Sequence, residues 1–410
     1  MGEEMKHEIA IVGSGIGGLA AALALHRKGF KDVAIYERSE SLRAEGTTIT
    51  IQSNGWRALD QLGVGPQLRD KAILIEGGEE IWIDRGRRQR MAFVTGEVRC
   101  LKRKDLINAL TNALPPKTIR FGCNAVAVKL DPQTMSTVLQ LDDNKIIRAK
   151  ILIGCDGSNS KVAEYLGSKP TSLFTVASIR GLRNYPNGHG FPPQFVRMKL
   201  DQGKNGSLDI GRIPVDDKLV YWYISVPLSR LDGKFPDDPE LMKQVTLKIM
   251  KDFPTDAVEM IEKSELDTLT FTRIRYRHPW ETLTGKFNKG SVAVLGDAMH
   301  VMGPFLGQGG SAALEDAVVL ARNIGQKISP LNLSGEGEGQ SMMNHKKIEE
   351  ALDQYVRERR KRIVLLSLNT YLVGIISGSI SPVAKFIAIV LLVILFRDQS
   401  AHSKYDCGKL

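Results

Sequence analysis

The sequence predicts an α/β fold. Both ends of the chain build one parallel-sheet layer, the middle inserts a mostly antiparallel β-sheet, and helices close the C-terminus. Three observations predict it. The chain opens with strand, glycine-rich turn, helix and strand, the order of a βαβ unit. Between residues 174 and 277 the texture changes to period-two alternation. From Gly290 the first texture returns, with a short apolar run, a glycine-rich loop and an Ala/Leu-rich helix.

Each element follows from its residues. Residues 8–12 form the first apolar run, and residues 19–28 are Ala/Leu-rich and stop at Gly29, a helix terminator. Residues 33–36 form a second apolar run that ends in Glu37. Residues 55–62 and 104–114 read as helices, and 118–130, 137–141 and 146–154 as strands. In the middle, 207–213 and 219–226 alternate on either side of a turn at 214–218, and 239–252 reads as a helix. Residues 291–295 are the returning strand and 312–326 the helix behind the loop. Residues 328–344, rich in Ser, Gly and Asn, read as a flexible loop, followed by a helix at 345–362. Residues 363–396 are mostly apolar, with Lys385 as their only charge. The expected division is 1–173 and 278–327 for the two parts of the dinucleotide-binding domain, 174–277 for the inserted sheet, 328–344 for the loop and 345–410 for the C-terminal helical region.

Composition narrows the function. Hydrophobic residues make up 42% and charged residues 25% of the 410 positions, which excludes a wholly disordered chain. The net charge of +10 is spread along the chain apart from a run at 357–362. That suits anionic small ligands, and no nucleic-acid module accompanies it. Cys100, Cys123, Cys155 and Cys407 lie far apart, without a CxxC pair or a Cys/His cluster. A zinc ribbon and a disulfide scaffold are excluded, no metal site is expected, and a reducing compartment fits. Residues 1–7 resemble neither a signal nor a transit peptide, so the expected location is cytoplasmic, with membrane association as a variant.

Three motifs carry chemistry. Gly13, Gly15 and Gly18 stand in a GxGxxG pattern between strand and helix. Gly13 permits the tight turn, Gly15 the approach of a pyrophosphate, and Gly18 close helix–strand packing. Glu37 follows 24 positions later at the end of the next strand, placed to accept hydrogen bonds from a ribose. This is the Rossmann-like fingerprint. The second motif is Cys155-Asp156-Gly157-Ser158, at the end of the 146–154 strand. The third runs from Gly296-Asp297 through Pro304-Phe305-Leu306-Gly307-Gln308-Gly309-Gly310 to Glu315-Asp316. Glycines there let backbone N–H groups approach a planar ring, and the helix starting near Ser311 points its positive end at the same place. An ordinary capped helix, with Ser311 as N-cap, accounts for that residue equally well.

With these motifs the chain resembles the single-component FAD monooxygenases of the p-hydroxybenzoate hydroxylase fold. Within them it is most similar to the salicylate and 3-hydroxybenzoate 6-hydroxylase branch and its plant members, over about residues 7–325. The resemblance implies NAD(P)H- and O2-dependent hydroxylation of a small aromatic or heteroaromatic compound through a C4a-hydroperoxyflavin. It implies FAD as cofactor and NADPH or NADH as transient electron donor. It places Glu37 and Arg38 at the adenosine ribose, Arg103 near the pyrophosphate and ribityl chain, and the Val126 main chain at adenine. Asp156 would serve FAD and NAD(P)H binding, and Asp297 the ribityl hydroxyls. Gly307, Gly309, Gly310 and Ser311 would border the flavin ring.

Departures from the family pattern are visible too. Arg43-Ala44-Glu45-Gly46-Thr47-Thr48 replaces the usual Gly-Ala-Gly-Ile stretch, adding bulk beside the flavin path. Lys161 stands near the position of a usual arginine.

Substrate contacts are expected from the inner face of the middle sheet, with Tyr221, Tyr223 and Pro304 as candidates and no catalytic side chain assigned. Alternation puts Trp222 on the opposite face from Tyr221 and Tyr223. His300 reads as a satisfied structural histidine. The apolar C-terminus is expected to pack against the body or form a homodimer contact. Peripheral membrane contact assisted by residues 357–362 is the alternative. Two alternative functions follow: a membrane-associated flavin epoxidase or hydroxylase of an isoprenoid or lipid, and a flavin-binding regulatory protein with little turnover.

Overall fold

Strands Glu4–Val12 and Ile146–Gly154 pair in parallel, and Val33–Tyr36 adds to the first in the same sense. Ile9, Ile11, Ile35, Ile151 and Ile153 are fully buried, as expected of parallel strands covered on both faces. The computed structural model describes residues 4–42, 48–91, 96–131, 136–201, 207–231, 235–334, 338–378, 381–398 and 400–410. The sheet order is Asn288–Lys289, Val292–Val294, Ile146–Gly154, Glu4–Val12, Val33–Tyr36, Ile119–Arg120. Thr137–Leu141 and Ala125–Leu130 extend it as an antiparallel branch. Helices Ile16–Arg27 and Gly309–Lys327 pack on it and on each other. Sequence-distant segments thus share one core, with Leu19, Ala22, Val294 and Leu320 in a single cluster.

The second sheet runs Thr270–Tyr276, Ser172–Asn184, Leu219–Pro227, Ser207–Pro214, Gln194–Asp201, Gly77–Trp82, Arg87–Met91. It is antiparallel except where Gly77–Trp82 joins Gln194–Asp201 in parallel. One face carries Trp222, Ile224 and Ile210 into a core shared with the helices Pro239–Ile249 and Thr255–Glu262. The other face looks into the cavity described below. A small sheet of Thr48–Ile51, Arg99–Lys102 and Ile73–Leu74 lies between the two layers in sequence.

The structure corrects several expectations. Gly77–Trp82 and Arg87–Met91 belong to the inserted sheet, although they fall within residues 1–173. Their pairing is long-range, so no local turn announces it. The expected strand 118–130 divides into Ile119–Arg120 and Ala125–Leu130 around Gly122, whose φ of +66° breaks the extended run. The loop expected at 328–344 contains the helix Pro330–Ser334 and the start of the helix Glu338–Ser377. That helix does not stop at Arg362. Between Gln340 and Ile376 glycine appears only at Gly374 and proline not at all, so nothing local ends it until the end of the apolar stretch. A separate helix, Pro382–Leu395, follows, capped by Ser381 Oγ accepting from Ala384 N–H at 3.2 Å.

The final residues fold back on the first layer. Arg57 donates to the carbonyls of Lys404 and Tyr405, and Leu410 N–H donates to Gln61.

Candidate active site

The carboxyl ends of four strands, Val12, Tyr36, Gly154 and Val294, reach the same edge of the first sheet. The residues that follow, Gly13, Glu37, Asp156 and Asp297 among them, line one cavity of about 1570 Å3. Ligands of open α/β sheets bind in this crevice. The volume exceeds the roughly 300–1,000 Å3 of an ordinary small-molecule pocket, leaving room for a dinucleotide and a second molecule.

The glycine motif divides its work. Gly13 has φ +97°, and a Cβ there would lie 2.6 Å from the Cys155 carbonyl oxygen. Gly15 lines the cavity, with nothing within 4 Å of a Cβ position. Gly18 lies behind the wall, where a Cβ would meet the Gly13 carbonyl oxygen at 2.0 Å. The helix from Ile16 has neither a side-chain cap nor an acid in its first turn, so its positive end faces the cavity uncompensated.

Glu37, Arg38 and Val126 line the cavity. Glu37 is 3% exposed and accepts from the Ser14 N–H (2.8 Å), the Ser14 hydroxyl (2.9 Å) and the Ser39 N–H (3.0 Å). These bonds hold the carboxylate at the end of its strand. Arg103, Asp156 and Asp297 line it as well. Asp156 Oδ2 accepts from Lys161 N–H at 2.7 Å, whereas buried Oδ1 has no hydrogen-bond partner among the described residues. Burial pushes this carboxyl upward. The Lys161 ammonium pairs with Glu164 at 2.8 Å. Asp297 is open to the cavity, yet the surrounding protein desolvates it enough to push its carboxyl up against the opposing charges of His300 and Arg103. Cys155 also lines the wall, and burial drives its thiol well upward.

Gly307, Gly309 and Gly310 line the next stretch. The helix begins at Gly309, and its preceding residue, Gln308, makes no side-chain cap, so its first N–H groups are left for the cavity. Ser311 is not the N-cap. It sits inside the first turn, fully buried and outside the cavity wall, with Oγ unpartnered among the described residues. Gly55 packs over it, where a Cβ would approach Oγ to 2.6 Å. Thr48, Ile49 and Thr50 line the opposite side, while residues 43–47 lie outside the described residues.

The far end of the cavity is the inner face of the second sheet. Tyr221 and Tyr223 line it together with Pro304. Trp222 points the other way, fully buried, donating to Ser264 Oγ at 2.7 Å. Arg180, Arg197, Phe195 and Ser178 complete this face and were not among the sequence candidates. Period-two alternation carried the signal, since Ser178 and Arg180 share a face, as do Phe195 and Arg197. Gly211 lies between Arg197 and Tyr223 in register. A Cβ on Gly211 would lie 2.3 Å from the Tyr223 ring, so the glycine lets that ring cross the strand. Phe195 stacks near Tyr223, with centroids 6.3 Å apart. Arg197 donates to Asp209 at 3.0 Å. Burial opposes the Arg197 charge, and Asp209 and its neighbours more than restore it. Arg180 donates to Thr272 Oγ1 at 2.8 Å, and its buried Nε lacks a partner among the described residues. Leu392, Val393, Phe396 and His402 bring the C-terminal segment into the same wall.

A buried charge network braces the cavity from behind. Asp316 accepts from Gly296 N–H (2.9 Å) and pairs with His300 (2.6 Å) and Arg359 (2.7 Å). Arg359 also reaches Glu315 at 2.6 Å, and Arg362 reaches Glu315 at 3.0 Å. Burial raises Asp316, but His300, Arg359 and the hydrogen bonds overcome it and hold the carboxyl at about 2. His300 is therefore a structural partner. Arg360 donates to the carbonyls of Thr282 and Leu283. Three arginines of the 357–362 run are thus engaged within the protein, so this run is not the free basic patch that assisted membrane contact would need. Among the described residues no group of His, Cys, Asp or Glu could hold a metal ion.

A long crevice with two helix ends lacking side-chain caps and with the carboxylates of Glu37, Asp156 and Asp297 in its wall has the make-up of a dinucleotide-binding site. The chain belongs to the family of the FAD binding domain, which matches residues 6–364. Monooxygenase 1 of Arabidopsis thaliana is 46% identical over 405 residues, covering 98% of this chain and 99% of that protein. The solved structure of Klebsiella pneumoniae HpxO with FAD and uric acid aligns with a TM-score of 0.75 at 21% identity, covering 97% and 96% of the two chains. That of 2-methyl-3-hydroxypyridine-5-carboxylic acid oxygenase, in a tetrameric form, aligns with a TM-score of 0.74 at 22% identity, covering 99% and 98%. The protein is an FAD-dependent monooxygenase, with the fold shared by these oxygenases.

Proposed function

We propose that the protein takes electrons from NADPH or NADH and inserts one atom of O2 into a small aromatic or heteroaromatic compound bearing an acidic group. The observation that carries this reading is the far wall of the cavity. There Phe195, Tyr221 and Tyr223 offer ring faces, and Arg180 offers an incompletely satisfied guanidinium. An aromatic acid matches both features, by ring stacking and by a charge-assisted hydrogen bond.

FAD, when bound, supplies the redox chemistry and the activation of oxygen. The chain supplies the rest. Glu37 would accept from the adenosine ribose, Arg103 would face the pyrophosphate, and Asp297 would accept from the ribityl hydroxyls. The N–H groups of Gly309 and Gly310, at the positive end of their helix, would stabilise negative charge on the bound cofactor. The Pro304–Leu306 turn, pinned by Gln52 donating to the Leu306 carbonyl at 2.8 Å, and the Pro382–Leu395 helix limit water at the sheet face.

The test is a panel of aromatic acids and their neutral analogues, scored for stimulated NAD(P)H oxidation, with product mass measured under 18O2. A gain of one labelled oxygen atom from an aromatic acid supports the reading. Turnover confined to isoprenoids or lipids would replace it with the membrane-enzyme alternative, and no stimulation by any compound would replace it with the regulatory one.

A further inference from the structure

The Pro382–Leu395 helix is apolar where a helix on a water-soluble protein is polar. Nine of its 14 residues are exposed large apolar side chains, with Phe386 at 68%, Ile387 at 52% and Ile394 at 57% exposure, and only Ala388 is buried. At about 100° per residue, the exposed side chains cover roughly two thirds of the circumference, and no polar residue interrupts them. One partner helix covers a stripe of about 100°, so a second copy would leave much of this arc in water. A lipid phase covers all of it. Lys385 near one end and Arg397 just beyond the other are the only charged groups from Ser381 to Arg397, and both are cations. They complement anionic headgroups. The helix is about 21 Å long, short of the roughly 30 Å hydrocarbon core, so it suits the plane of one leaflet. Among the described residues no helix is long and apolar enough to cross a membrane.

The same helix belongs to the cavity. Leu392, Val393 and, just past its end, Phe396 line it, and Val393 is 64% exposed. We infer that the Pro382–Leu395 helix docks the protein on an anionic membrane, lying within one leaflet and setting the cavity wall against the lipid. The inference rests on the helix and not on the proposed substrate, so it can fail while the monooxygenase reading stands.

The experiment is flotation of the flavin-loaded full chain with phosphatidylcholine vesicles, with and without phosphatidylserine. The comparison is the double variant Phe386→Glu/Ile394→Glu. Neither side chain lines the cavity, both are exposed, and glutamate favours helix, so the fold and the flavin spectrum should persist. The expected result is flotation of the unaltered protein, stronger with phosphatidylserine, and a roughly tenfold or greater loss in the double variant at unchanged flavin content. Lys385→Gln should reduce the phosphatidylserine preference alone. Equal flotation of the double variant, or no flotation of the unaltered protein, overturns the inference. So does a dimer in solution that the double variant splits without any vesicle binding, which would assign the helix to a second copy of the chain.

Discussion

Asp297 shows how one side chain can cost stability and still be kept. Desolvation raises its folded-state pKa above the ordinary carboxylate value of about 3.9. The folded apoprotein therefore holds this proton more tightly than the unfolded chain does. No penalty exists while both states are protonated. The penalty grows as pH rises from the unfolded value through the folded one, and it stays at neutral pH. Asp297→Asn should then melt higher than the unaltered apoprotein at pH 7, show a shrinking difference as pH falls toward 4, and retain FAD less well. Thermal melts of the apo form and flavin content of the holo form check the two halves separately. On the sheet face of the cavity, Arg180→Gln should raise KM for an aromatic acid by about ten- to a hundredfold, the scale of one lost charged hydrogen bond, and leave KM for a neutral analogue nearly unchanged. Steady-state kinetics on matched acid and amide substrates distinguish these outcomes.

At the scale of elements, the glycine turn and the buried network hold the cavity in place. Gly18→Ala puts a methyl 2.0 Å from the Gly13 carbonyl oxygen, backbone that cannot move without shifting the turn. A loss of about 1–3 kcal/mol in unfolding free energy is expected, with lower flavin occupancy, measured by denaturant titration and flavin absorbance. Arg359 joins the Glu338–Ser377 helix to the Gly309–Lys327 helix through Glu315 and Asp316, all fully buried. Arg359→Ala removes the cation shared by two buried carboxylates, leaving Glu315 to Arg362 and Asp316 to His300, and should cost about 3–5 kcal/mol by the same titration.

The elements of the first layer were legible in the sequence because their signals are local. Residues 33–36, 137–141 and 146–154 were read to the residue, since each apolar run is bounded by turn residues or charge. The helix start at Gly309 was placed near Ser311 because a serine imitates a cap, whereas this helix is left uncapped. The run 357–362 reads as a basic cluster available to a membrane because its buried acids, Glu315 and Asp316, stand more than forty positions away. Parallel pairing of Gly77–Trp82 left no trace in its own neighbourhood for the same reason. Arg180 and Arg197 join the tyrosines' face only through pairing between strands distant in sequence, which alternation within one strand does not reveal.

In the whole molecule, segments from residue 12 to residue 402 converge on one cavity. On the proposed reading, Glu37 and Val126 hold the adenosine, Arg103, Asp156 and Asp297 the rest of the dinucleotide, and the inserted sheet faces the reacting ring. On that reading a full dinucleotide engages wall residues that a mononucleotide leaves untouched. Titration of the apoprotein with FAD and, separately, with FMN, followed by flavin fluorescence, tests this most directly. The account predicts one FAD bound per chain, with FMN at least about a hundredfold weaker for want of the adenosine contacts. Equal binding of the two flavins, or no binding of either, would contradict it.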